Sequence, residues 1–246
     1  MLMTTSNSSP SPMTLLRHTR RALLDLVFPP RCAGCGRRGG WFCHSCLSQL
    51  MPLAPPWCQH CGRPLPDGQW RCRFCQQGDL PALDWARAAY PHSGAIRKAI
   101  HRFKYAGEQA RAESLAALLA PLLLQAPAGD NPPRVAPVPL SAARQRERGY
   151  NQAAELARVL TRANGWPLDT GLVRVRATPP QVGLDRAARQ ENVRGAFAWR
   201  GEALIGQRVL LVDDVMTTGA TANECAATMK AAGALWIGLV TVARAL

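Results

Sequence analysis

The sequence predicts an α/β protein, a mostly parallel central sheet flanked by helices, with a small cysteine-bound module ahead of it. Two observations carry this. Residues 209–221, Val-Leu-Leu-Val-Asp-Asp-Val-Met-Thr-Thr-Gly-Ala-Thr, pass from an unalternating aliphatic run into two acids and a hydroxyl-rich turn. Val209–Val212 suits a strand buried on both faces of a parallel sheet, and the turn leads into helix formers at Ala222–Ala232, closed by Gly233. Upstream, eight of nine cysteines form four C-x-x-C pairs, a metal-knuckle spacing.

Taken in order, residues 1–21 are a tail and the start of a helix, with the Ser-, Thr- and Pro-rich 1–12 expected to be disordered. Ala22–Phe28 reads as a short amphipathic helix rather than a signal peptide, because Asp25 interrupts it and Pro29-Pro30 stop it. Residues 22–80 then hold the knuckles Cys32/Cys35, Cys43/Cys46, Cys58/Cys61 and Cys72/Cys75. Two knuckles complete a closed tetrahedral four-thiolate site, so two structural Zn²⁺ are expected. Disulfides are the competing account, and the lack of a secretory signal argues against them and for a cytoplasmic protein. Sequential pairing needs only short hairpins; an interleaved cross-brace stays open. His44 and His60 lie inside knuckles already saturated by sulfur and read as exposed.

From residue 81 to 246 the pattern becomes α/β. Ala86–Tyr90 reads as a strand, and Ser93–Phe103 as a helix with Ile96, Ile100 and Phe103 on one face. Lys104 ends it, either complementing the helix dipole or binding an anion. Glu108–Leu124 reads as a second helix and Ala126–Pro133 as a linker. Val135–Leu140 is a short strand, followed by an arginine-rich turn and a helix through Thr161. Leu235–Val242 is the last strand. Cys225 reads as a buried packing thiol. The longest apolar stretch, Leu115–Leu124, is too short to span a bilayer.

The formal charge is +14, and all but three of the 30 basic residues are arginine. Residues 201–246 carry 3 basic against 4 acidic groups, whereas 134–200 carry 12 against 5 and 1–80 carry 9 against 3. The excess thus favours phosphate-bearing partners at the module and at the segment before the acidic strand. Arginine bias in the genome would give the same total.

The chemistry is most legible at 209–221. Strand, tight turn and helix N-terminus aim free amides and the helix dipole at one point, where a phosphate binds. Gly219 permits close approach and the threonines add donors. Asp213 and Asp214 would repel a phosphate, so they suit sugar hydroxyls or a Mg²⁺ shell. No G-x-x-x-x-G-K-[ST] occurs, which disfavours a Walker-type nucleotide loop.

This segment resembles the phosphoribosyl-pyrophosphate (PRPP) motif of type I phosphoribosyltransferases. Val138-Pro139 with Arg148-Gly149-Tyr150-Asn151-Gln152 resembles the pyrophosphate-side loop of their ComF/GntX-like branch. Arg174, Thr178, Gln181, Leu184, Arg189, Asn192-Val193 and Phe197 keep that branch's spacing. The resemblance implies a type I phosphoribosyltransferase fold with an N-terminal double zinc ribbon, binding PRPP with Mg²⁺. It places the 5′-phosphate at Thr217, Thr218, Gly219, Ala220 and Thr221, the ribose hydroxyls at Asp213 and Asp214, and the pyrophosphate at Arg148, with Lys104 as a further anion ligand. Arg174, Gln181 and Arg189 would belong to a mobile loop closing over PRPP. The acceptor is not specified, and a link to DNA uptake in natural competence is implied. The alternative is a non-catalytic PRPP-responsive or single-stranded-DNA-binding accessory protein acting with competence proteins. For it, Trp41, Trp57, Trp70 and Phe74, interleaved with arginines, could stack bases; in so small a module they could equally complete a thin core.

Overall fold

A computed structural model describes residues 29–105, 109–179 and 185–246; the expected N-terminal helix at 22–28 lies outside them. Four strands, β1 (Trp85–Pro91), β2 (Arg134–Pro137), β5 (Arg208–Met216) and β6 (Trp236–Arg244), form an all-parallel sheet in the order β1-β6-β5-β2. β3 (Leu172–Arg174) and β4 (Phe197–Trp199) pair antiparallel as a separate arm. The described helices are α1 (His44–Ser48), α2 (Arg73–Gln76), α3 (Gly94–Tyr105), α4 (Ala112–Ala117), α5 (Ala120–Leu123), α6 (Ala142–Arg148), α7 (Gln152–Asn164), α8 (Arg186–Val193) and α9 (Ala220–Ala231).

The unalternating aliphatic run behaves as expected: Val209–Val212 are at most 1% exposed. Alternation sends Leu210, Val212, Val240 and Val242 to one face, against Ile100 and Phe103 of α3, Leu115 of α4 and Leu156 of α7. Val209, Leu211, Ile237 and Leu239 face the other way. That second face is covered by α9 and by the cysteines of the second knuckle pair, Cys58, Cys61, Cys72 and Cys75, which share its core. The module therefore supplies part of a layer that helices supply elsewhere. It also covers the outer edge of β1: Ala86 N–H donates to His60 O at 2.7 Å and Leu53 N–H to Ala89 O at 2.9 Å, which leaves less open edge to template wrong pairing. Gly62 makes this approach possible, since a Cβ there would stand 2.7 Å from Ala86 O and its φ is +70°.

The structure departs from several expectations. The single helix expected at 108–124 is a 3₁₀ turn (Gln109–Arg111), α4 and α5, because Pro121 lacks an amide for an ongoing helix and instead sits in the first turn of a new one. The arginine-rich turn is a helix, α6, capped by Ser141 Oγ, which accepts Arg144 N–H at 3.3 Å. Gly149 ends it at φ 77°, and Asn151 Oδ1 accepts the amides of Ala153 and Ala154 to start α7. Arg-Gly-Tyr-Asn-Gln is thus a helix stop followed by a helix start. The segment expected to be a mobile loop carries α8. Three arginines are buried, Arg87, Arg111 and Arg244, at 5%, 0% and 2% exposure.

Candidate functional site

β5 runs on through both acids to Met216, with Asp213 in register with Thr241 of β6. Strand alternation splays the two carboxylates to opposite faces at the carboxyl edge of the sheet, where open α/β sheets hold ligands. On the α3 side Asp214 is 6% exposed and pairs with Lys104 Nζ at 2.9 Å. Lys104 thus finds a carboxylate at the site as well as the end of a helix. Asp213 Oδ1 accepts Asp214 N–H at 2.8 Å. Burial and the neighbouring Asp214 push its carboxyl up to about 7, against the pull of Lys104.

The turn after β5 is tight for a steric reason. Gly219 has φ 88°, and a Cβ there would lie 2.7 Å from Met216 Cε and 2.8 Å from Leu80 Cδ2. α9 begins two residues earlier than the sequence suggests, so Ala220 and Thr221 belong to its first turn. Thr218 Oγ1 accepts Ala220 N–H at 3.3 Å, which turns that hydroxyl toward the backbone.

These groups line one cavity of about 350 Å³, together with Arg148, Arg144, Arg174, Arg189, Tyr105 and His92. Thr217, Gly219, Ala220 and Thr221 line it and Thr218 does not. Arg148 donates to Gln152 Oε1 at 2.9 Å and to Tyr105 OH at 3.2 Å, and stacks over the Tyr105 ring. Arg174 is held by Thr178 Oγ1 and lies over Phe197. Burial and then the adjacent Arg144 lower its affinity for its proton. Gln181 and Leu184 of the expected loop lie outside the described residues. Sequence reasoning missed His92, whose signal was its place just past β1, at the same carboxyl edge as the acids. Burial and then Lys104 favour its neutral form.

The eight paired cysteines form two clusters, Cys32/Cys35/Cys43/Cys46 and Cys58/Cys61/Cys72/Cys75, with each set of Sγ atoms within 4.8 Å of one another. The pairing is sequential. Cys35 and Cys43, and likewise Cys61 and Cys72, have sulfurs 3.7 Å apart, close to the ~3.8 Å edge of a tetrahedron with ~2.3 Å Zn–S bonds. Four soft donors with no further group in the set fit structural Zn²⁺. The second cluster is wholly buried; in the first, Cys35 is exposed. Neither knuckle histidine joins a cluster, but His60, expected exposed, is half-buried with Nε2 3.1 Å from Leu80 O. Cys225 is fully buried, and burial raises its thiol well above the usual range, as suits a packing residue.

A double zinc ribbon domain model matches residues 23–77, and a phosphoribosyl transferase domain model matches residues 112–246. Over 209 residues the chain is 33% identical to Competence protein F of Haemophilus influenzae, covering 82% of this chain and 90% of that one. It is 30% identical over 215 residues to DNA utilization protein YhgH of Escherichia coli K12, covering 85% and 92%. Competence protein ComFC of Bacillus subtilis is 28% identical over 191 residues, 75% of each chain. With a phosphoribosyl transferase domain behind a double zinc ribbon and such relatives along most of its length, the chain belongs to the ComF family of phosphoribosyltransferase-like proteins.

Proposed function

We propose that the cavity binds PRPP with Mg²⁺ and transfers its phosphoribosyl group with release of pyrophosphate. The observation that carries this is the set of charges brought to one cavity: acids at the sheet edge, a glycine turn at a helix N-terminus beside them, and Arg144, Arg148, Arg174 and Arg189 in the same lining. The turn and the first amides of α9 hold the 5′-phosphate. Asp213 and Asp214 accept from the ribose hydroxyls, Asp214 giving up or sharing Lys104. The arginines hold the pyrophosphate, stabilising the leaving group while the β3–β4 arm excludes water. Asp213 or Asp214 could each offer Mg²⁺ a hard oxygen donor, and the ion, when bound, would supply charge neutralisation on the pyrophosphate. Eight thiols kept as metal ligands suit the cytoplasm. Incubating the protein with Mg·PRPP and a panel of nucleobases, amines and nucleosides should release pyrophosphate for at least one acceptor. Release from none of them, with no calorimetric binding of PRPP, would refute the reading.

A second reading, that the ribbons bind single-stranded DNA, rests on one exposed patch and is supported by relatives named for competence and DNA utilization. Trp70 is 67% exposed with Arg71 over its ring, while three guanidinium groups, Arg63, Arg73 and Arg186, lie 4.1–5.0 Å from the centre of Phe74. Trp41 and Trp57 are instead half-buried under Arg111 and Arg87, so they serve the thin core. Replacing Arg37, Arg38, Arg71 and Arg73 by Ala should flatten the salt dependence of binding, the log–log slope falling by about 0.7 for each phosphate no longer neutralised. Trp70→Ala should weaken binding by a further ~1–3 kcal/mol. An unaltered salt slope would remove the ribbons as the DNA-binding surface, and PRPP binding should be unchanged throughout.

A further inference from the structure

The second ribbon and the residues that follow it reach the turn after β5 and the start of α9 through Arg244, Leu80 and Ala82. Arg244, in register with Met216 at the carboxyl edge, is 2% exposed. Its Nη1 donates to Cys61 O at 2.5 Å and lies 3.3 Å from Met216 Sδ; its Nη2 lies 3.8 Å from Cys61 Sγ. Met216 in turn closes over Gly219. Leu80, five residues beyond Cys75, covers the other side of that glycine, and Ala82 N–H donates to Asn223 Oδ1 in α9 at 3.0 Å. A guanidinium keeps its charge when buried and needs a counter-charge. Four thiolates around Zn²⁺ carry a net charge of about −2. Arg244 and Arg87, whose Nη1 donates to Gln59 O at 3.1 Å, are the buried cations beside that cluster among the described residues.

We propose that Arg244 is a positioning residue that couples the second zinc ribbon to the Thr217–Thr221 turn, so that this ribbon, and not the first, sets how well the turn is ordered for an anion. Its functional meaning rests on the PRPP reading above; the coupling itself does not. The metal fixes the Cys61 knuckle, the knuckle fixes the guanidinium, and the guanidinium fixes Met216 against Gly219. The first ribbon offers the contrast. It is also held by a fully buried arginine, Arg111, which donates to Trp41 O at 3.4 Å and Arg31 O at 3.2 Å. Those carbonyls belong to the first ribbon, and neither Arg31 nor Trp41 lines the cavity.

Hydrogen exchange on the full-length, zinc-loaded protein tests this. Arg244→Met should speed exchange of the 217–222 amides by about tenfold or more, the local cost of one buried charge-assisted hydrogen bond, while two zinc ions remain bound. Arg244→Lys, which restores the cation but not the fork, should fall between it and the wild type. Arg111→Met should lower the melting temperature and leave exchange at 217–222 unchanged. If Arg244→Met does not fold, Met216→Ala breaks the same link without touching a charge and should loosen the same amides. Unchanged exchange in a zinc-replete Arg244 or Met216 variant would overturn the proposal, as would equal loosening by Arg111→Met. Calorimetry with Mg·PRPP on the wild type decides the PRPP reading separately: failure there leaves the exchange result standing.

Discussion

Replacing Asp213 and Asp214 together by Asn is expected to weaken Mg·PRPP binding by about 3–6 kcal/mol, roughly 10²- to 10⁴-fold, since each acceptor contributes a charge-assisted contact of ~1.5–3 kcal/mol. Loss of the Asp213 charge should not cost stability, whereas Asp214→Asn gives up the ion pair with Lys104. Asp213 keeps its proton to about pH 7 in the folded chain, whereas an unfolded Asp loses it near ~3.9. Between those values the folded state binds more protons, so stability falls as pH rises through the window and the full cost is present above it. Asp213→Asn escapes that cost, while its amide oxygen can still accept Asp214 N–H. The single variant should therefore melt at or above the wild-type temperature at pH 8, with the gain vanishing near pH 4. Calorimetric titration and thermal melts at the two pH values check both halves. Unchanged PRPP affinity in the double variant would remove the acids from the site.

Removal of zinc should have an effect of comparable size on folding. Structural zinc sites contribute ~10–16 kcal/mol in small peptides, as much as the whole stability of an ordinary domain at ~5–15 kcal/mol. Elemental analysis of protein purified without chelator should find two Zn²⁺ per chain. The two should leave in order under a chelator. The first cluster has an exposed ligand in Cys35, whereas all four ligands of the second are buried in the domain core. One ion should therefore depart quickly with partial loss of stability. The other should depart slowly and together with cooperative unfolding, followed by tryptophan emission. Simultaneous loss, or a single ion with disulfides in place of the other, would contradict the structure.

What the sequence made legible was whatever one short segment decides alone. The aliphatic run at 209–212 announced a doubly buried strand, the four knuckles announced two tetrahedral centres, and Ile96, Ile100 and Phe103 announced a helix face. Contacts between distant segments were not legible. Nothing in Phe-Lys-Tyr says that Lys104 will meet Asp214, because β1 and β5 are brought together only by β6. The burial of Arg87, Arg111 and Arg244 was invisible for a related reason. An arginine reads as exposed until the carbonyls and sulfurs that receive it have been assembled around it. α8 was missed because its residues are polar on most sides and its Asp185 cap resembles loop chemistry.

β6 follows the other strands in the chain yet lies between β1 and β5. During synthesis, then, β1 emerges early and has no partner strand until Trp236–Arg244 leaves the ribosome, so the sheet cannot be built outward from its first strand. It is completed by insertion of its centre. High contact order of this kind slows folding and leaves strand edges open meanwhile. The ribbon carbonyls and amides on the outer edge of β1 are already synthesised when β1 emerges, since they precede it in the chain. They can shield half of the waiting strand, provided the metal is loaded co-translationally. Zinc supply during growth should accordingly set the yield of native protein more strongly than zinc added to the finished chain.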